Sequence, residues 1–348
     1  MALTELYIDP SIAGNSGAGT VGDPYGDVEW AVKQANMPVG GVRLNVKSGT
    51  AEVLVAALNT AMADTSEAGK TVAWVPTETG PLIVQGYTAS QGDGGKGSIS
   101  GGGSVSIMTS TSYVMFVDMI LHNTGSGARL LQLNNWSWVI RCELHTSTNV
   151  TGVLALGIAS GVIDSYFHDY SGAAIELNEA YCARNYITSS AGVNKVLVGC
   201  SGACYVVDNI FDVSNITDAA LSLHDGGVAN NNSFYNSVAG TKYAIQVAAS
   251  TIGGSITNNI IEGWSGVGGI GIKIDGSQSG IRHIGGNAFF NCETEISAPS
   301  LWTVLDIGDD ETLLVSAFTD APNADFSTID TGNIKAGALP KTFGDGAI

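Results

Sequence analysis

Asn185-Tyr186-Ile187-Thr188, Asn209-Ile210-Phe211-Asp212, Asn232-Ser233-Phe234, Asn259-Ile260-Ile261-Glu262 and Asn287-Ala288-Phe289 are versions of one short phrase. Two looser copies come earlier, Cys142-Glu143-Leu144-His145 and Ser165-Tyr166-Phe167-His168. The first residues of successive copies lie 23, 20, 24, 23, 27 and 28 apart. An apolar-x-apolar triplet precedes each copy: Leu131-Gln132-Leu133, Leu154-Ala155-Leu156, Ile175-Glu176-Leu177, Val196-Leu197-Val198, Leu221-Ser222-Leu223, Ile245-Gln246-Val247 and Ile272-Lys273-Ile274. Short alternating strands at a period in the twenties, separated by glycine and asparagine, predict a solenoid.

Successive side chains point to opposite faces of a strand, so Leu131 and Leu133 face inward while Gln132 faces water. One coil is too thin to bury its own apolar face, and stacked coils make the core. The asparagines then fall one above another at a bend, where asparagine tolerates left-handed backbone and satisfies turn amides. They can also bond along the column, as side-chain ladders do in other stacked β structures. A leucine-rich repeat is the weaker alternative, because its Leu-x-x-Leu-x-Leu-x-x-Asn consensus is missing.

The region 128–292 resembles the right-handed parallel β-helix of the pectin-lyase-like superfamily. Leu6-Tyr7-Ile8-Asp9-Pro10, a glycine-rich loop and the helix-like Val28–Ala35 are similar to the opening of many such proteins. Pro81–Tyr87 followed by Gly92-Asp93-Gly94-Gly95 is similar to their second segment, and Ala324–Ser327 to their closing one. The resemblance implies an all-β fold: a right-handed single-stranded parallel β-helix with a short N-terminal capping helix and an extended C-terminal tail. It implies no single function, since the superfamily holds pectinolytic enzymes, phage tailspikes and virion proteins without known catalysis.

The solenoid is expected to be one continuous domain: cap and first coils over 1–111, regular repeats over 112–292, and closing strands and tail over 293–348. Asp27 is the expected N-cap of Val28–Ala35, whose apolar stripe covers the open end of the solenoid. Strands are expected at Arg43–Lys47, Thr71–Val75, Pro81–Gln85, Leu301–Ile307 and Glu311–Phe318, with Ala51–Ala63 open between helix and coil. Only 13% of the 348 residues are charged, so the outer faces must be built of Ser, Thr, Asn and Gly. A net charge of −18 with 14 Lys and Arg excludes nucleic acid and anionic membrane as expected partners, and opposes polyuronates. No apolar run reaches membrane-spanning length, and Met1-Ala2-Leu3-Thr4-Glu5 lacks the basic and apolar regions of a secretory signal. The expectation is assembly in a cytoplasm, with an extracellular protein as the alternative. The five cysteines are scattered and read as structural thiols.

His122, His145 and His168 are spaced by 23 and 23, so they share one outward coil position, followed later by Thr188, Asp212 and Glu262. Stacked imidazoles are candidate metal ligands or acid–base groups, although a straight ladder does not converge on a point. Cleavage of glycans by hydrolysis needs paired carboxyl groups. The candidate catalytic cluster is Asp164, His168, Asp169 and Glu176; no cofactor is expected. Trp136, Trp138 and Trp264 form no aromatic platform. With the resemblance, these sparse faces imply a structural bacteriophage virion protein: a homotrimeric capsid decoration, cement or head-fibre protein contacting the major capsid protein or tail. The alternative is a tailspike or secreted polysaccharide lyase or hydrolase acting on a host-surface glycan.

Overall fold

The computed structural model describes residues 3–14, 17–34, 40–64, 74–103, 105–123, 129–146, 152–170, 172–189, 195–214, 216–224, 226–238, 242–247, 253–275, 282–298, 304–306, 310–313, 316, 318–320 and 325–328. They fall into two compact units, Met1–Ser165 and Tyr166–Ile348. Each unit is a parallel β-solenoid whose coils place one strand in each of three sheets. In the first unit, Val114–Val117, Trp138–Ile140 and Gly161–Ile163 pair in parallel in the first sheet. Met119–Asn123 and Glu143–Thr146 pair in the second, and Leu131–Leu133 and Gly152–Leu156 in the third. The second unit repeats the plan, as in Tyr181–Ala183 on Tyr205–Val207, and Tyr186–Ser189 on Ile210–Val213. Parallel strands joined through a crossover are right-handed by the general rule for such connections.

Alternation within strands builds the core. Phe167, Ile187, Phe211, Phe234 and Phe289 are fully or almost fully buried, and Phe211 and Phe234 stack at 4.6 Å.

The corner between the first and second sheets is two residues long. Its first residue is left-handed in backbone: Arg184 (φ 54°), Asp208 (56°), Asn231 (57°), Asn258 (57°) and Gly286 (68°). This corrects the expectation that the column asparagines take that conformation; the residue before each one does. The column asparagines instead bond. Asn232 Oδ1 accepts from the Asn209 amide and carboxamide at 3.0 Å each. Its Nδ2 donates to Val206 O (2.9 Å), Asn230 O (3.2 Å) and Asn259 Oδ1 (3.0 Å). The column runs Asn185, Asn209, Asn232, Asn259, Asn287 and ends on Asp310. In the first unit a hydroxyl takes only the amide part of this role: the Cys142 amide donates to Ser165 Oγ at 3.1 Å.

The cap forms as expected. Asp27 Oδ1 accepts from Trp30 N at 2.8 Å, and the helix Val28–Gln34 buries Val28, Ala31 and Val32. Glu29 accepts the amides of Val55 and Ala56, tying the helix to the strand Ala51–Leu54. Buried beside these carboxylates, Glu52 is pushed up to about 8, chiefly by desolvation and then by the charges of Asp27 and Glu29. Ala51–Ala63 resolves into that strand and a second short helix, Leu58–Ala63.

Two expectations change. The triplet Val196–Val198 is out of register by one: Leu197 pairs with Ile175 and Val198 with Glu176, with an irregularity between Glu176 and Asn178. The tail is not simply extended. Phe318–Asp320 and Asp325–Thr328 form an antiparallel pair. Leu313 and Phe318 pack on the second unit's own second sheet, in one cluster with Tyr186, Ile210, Ile260 and Ala288. Residues 71–73 of the expected strand Thr71–Val75, and the tail beyond 328, lie outside the described residues.

Replacing Asn232 with alanine leaves the Asn209 amide and two carbonyls without partners inside the wall. At about 1–3 kcal/mol for each of these three buried orphans, urea unfolding should show a loss of roughly 3–9 kcal/mol with an unchanged far-UV spectrum. A loss under 1 kcal/mol would mean the column is decoration.

Candidate active site

The second sheet of the second unit gathers the titratable side chains. Tyr166 pairs with Tyr186 and Phe167 with Ile187, so His168 precedes Thr188 in the outward column. Thr188 is in register with Asp212, Asp212 with Tyr235, and Tyr235 with Glu262. His168, Thr188 and Asp212 are all partly exposed.

His168 Nδ1 lies 2.8 Å from Asp169 Oδ2. Facing a carboxylate, Nδ1 is the ring nitrogen that donates in this contact. Asp169 holds this position because it takes the left-handed conformation (φ 50°) at the corner after the strand. The Tyr166 ring stacks on His168 at 4.5 Å and on Tyr186 at 5.4 Å, which fixes the imidazole plane. At the other end, Tyr186 OH donates to Asp212 Oδ2 at 3.1 Å. Burial raises the Asp212 carboxyl above its ordinary range, only partly offset by the Tyr186 hydrogen bond. The Tyr170 hydroxyl, on a residue 4% exposed, has no hydrogen-bond partner among the described residues, and burial together with the Asp212 charge pushes its pKa well up. A carboxyl held above its ordinary range and a histidine bonded to a neighbouring aspartate thus stand on one column.

The residues singled out from the sequence divide. His168 and Asp169 are brought together. Glu176 stands on a different sheet, between Ile175 and Leu177 on the strand Ala173–Asn178. Asp164 belongs to the first unit, as the left-handed corner residue (φ 53°) before Ser165. His122 and His145 are in register in the first unit, with rings 5.2 Å apart and 5° from parallel. Parallel rings present their nitrogens side by side. Burial lowers the His122 pKa, against the pull of Glu143. The expected solvated slot is corrected at Glu262, which is 7% exposed and accepts from Ser316 Oγ at 2.9 Å. Tyr166, Tyr170 and Tyr186 were missed. The first and last had a signal: their spacing of 20 is that of the repeat phrase in the same place.

No family model matches the chain, and no curated protein is similar to it. Among solved structures, it is similar to a GH136 lacto-N-biosidase from Eubacterium ramulus, at TM-score 0.43 and 10% identity. That similarity covers 89% of this chain and 68% of the other.

The raised Asp212 pKa makes a stability prediction. The folded chain holds a proton that the unfolded chain has released, so this contribution is full below the ordinary value of 3.8 and lost as pH rises through the folded value. Asp212→Asn should therefore raise the melting temperature at pH 7 and leave it unchanged near pH 3. An equal shift at both pH values would rule out ionisation as the cause.

Proposed function

We propose that the protein cleaves a glycan by hydrolysis on the second sheet of its second unit. Asp212 is the general acid and His168, oriented by Asp169, is the general base. The observation that carries this reading is the column itself: the two groups stand two strands apart with the small Thr188 between them. Two strand spacings are roughly 9–10 Å at the backbone. Inverting hydrolysis ordinarily sets two carboxyl groups about 6.5–9.5 Å apart, leaving room for sugar and water; in this proposal His168 stands in for the basic carboxylate.

In the step, the Asp212 carboxyl gives its proton to the glycosidic oxygen as the anomeric carbon–oxygen bond breaks. His168 Nε2 takes a proton from water, whose oxygen bonds to the anomeric carbon from the opposite face. Asp212 ends as carboxylate and His168 as imidazolium, and solvent restores both. The Tyr186 phenol, already bonded to Asp212, supports the carboxylate that forms. A glycan suits the outer faces, which are rich in hydroxyl and amide side chains and poor in charge.

The bacteriophage particle, the homotrimer, and contact with the major capsid protein or tail complete the proposal and rest on the sequence reading. Particle mass spectrometry from the source culture tests them, because a virion component must appear at fixed copies per capsid protein.

Asp212→Asn and His168→Gln should each lower reducing-end release from a susceptible glycan by about 10²–10⁴-fold, with the wild-type rate bell-shaped in pH. Full activity in Asp212→Asn would end this assignment.

A further inference from the structure

The first sheet of the second unit carries an exposed aromatic pair. Tyr181 and Tyr205 are in register, their rings 4.9 Å apart and 13° from parallel, and they are 44% and 39% exposed. Two large rings left in water on adjacent coils forgo burial that each would gain inside a core. Further along the same sheet the side chains turn polar and bond to one another. Asn230 Oδ1 accepts from Thr257 Oγ1 at 3.1 Å and from Asn258 Nδ2 at 3.2 Å. Asp208 accepts from Asn231 at 2.6 Å, and Arg184 is exposed at the same corner.

We infer that this face is a second, non-catalytic site that holds a neutral oligosaccharide. It rests on the proposed reading that the ligand is a glycan. Tyrosine offers an apolar ring with a hydroxyl at its tip, so sugar C–H groups can pack on the ring while sugar hydroxyls reach the phenol. The carboxamides and the threonine hydroxyl offer donors and acceptors in a row, held in place by their mutual bonds. From the Tyr181 coil to the Thr257 coil is three strand spacings, ~14 Å, long enough for several linked sugars. The opposite charges of Arg184 and Asp208 offset one another on a chain of net charge −18, which favours a neutral ligand over an acidic one. A second copy of the chain is the competing occupant. The polar row argues against it, because the cores of homo-oligomer interfaces are more apolar than ordinary surface.

The test uses the full chain carrying Asp212→Asn, so that binding is read without turnover. Maltohexaose, cellohexaose and mannohexaose are titrated by calorimetry and by tyrosine fluorescence. At least one should bind saturably, and adding Tyr181→Ala with Tyr205→Ala should weaken it tenfold or more with unchanged circular dichroism. In the background with Asp212 intact, the tyrosine variants should leave hydrolysis of a small aryl glycoside unchanged. No saturable binding, or equal binding without the tyrosines, overturns the inference. So does an oligomer in light scattering that dissociates on losing the tyrosines, which would assign the face to a second copy. If the tyrosines matter for binding while Asp212→Asn still hydrolyses, the site stands and the catalytic assignment falls.

Discussion

A coil that turns three corners must close off the backbone amides of each corner where water does not reach, and this constraint governs the rest of the structure. In the second unit the asparagine column meets it at the first corner. Each carboxamide oxygen takes the backbone amide of the preceding coil, and each carboxamide nitrogen fills carbonyls of its own and the preceding coil. A side chain with two donors and two acceptor lone pairs is needed for this, which hydroxyls and thiols cannot match. Because the column ties each coil to the next at one residue, it sets the register of the strands that leave the corner. The alignment of Thr188 with Asp212 follows from that register.

This explains what was legible in the sequence. The asparagine phrase and the alternating triplets recur because they obey local rules, and the sheets and the histidine register could be read from their spacing. The one slipped triplet, Val196–Val198, lies where a run of apolar residues satisfies two registers equally, so the pattern carried no information to choose. The left-handed corner residues were illegible for another reason. Arg184, Asp208 and Asn231 share a backbone conformation but not a side-chain type, so the geometry leaves no common letter. The covering of Glu262 by Ser316 is a contact between residues far apart in sequence, which no periodicity encodes.

The candidate site was half legible for the same reason. His168 and Asp169 are neighbours in the chain and could be paired on sight. Asp212 lies two coils away and was visible only as a member of the outward slot. Its distinction comes from burial, from the Tyr186 hydroxyl and from the orphan Tyr170 hydroxyl. None of these is a property of the aspartate's own stretch of chain.

The outer surface of the second sheet shows two ways of treating one column of positions. Toward its end the slot is closed: Leu313 and Phe318 seal the apolar members, and Ser316 satisfies Glu262. Toward its start the slot keeps costs that folding alone would remove. A half-buried carboxyl is held above its ordinary range, and a buried phenol has no hydrogen-bond partner among the described residues. A carboxyl shifted from its ordinary range, with a tyrosine hydroxyl on it and a histidine–aspartate contact on the same column, is the kind of grouping that points to chemistry. On this argument the start of the column, and not the His122–His145 pair of the first unit, is where function is to be sought.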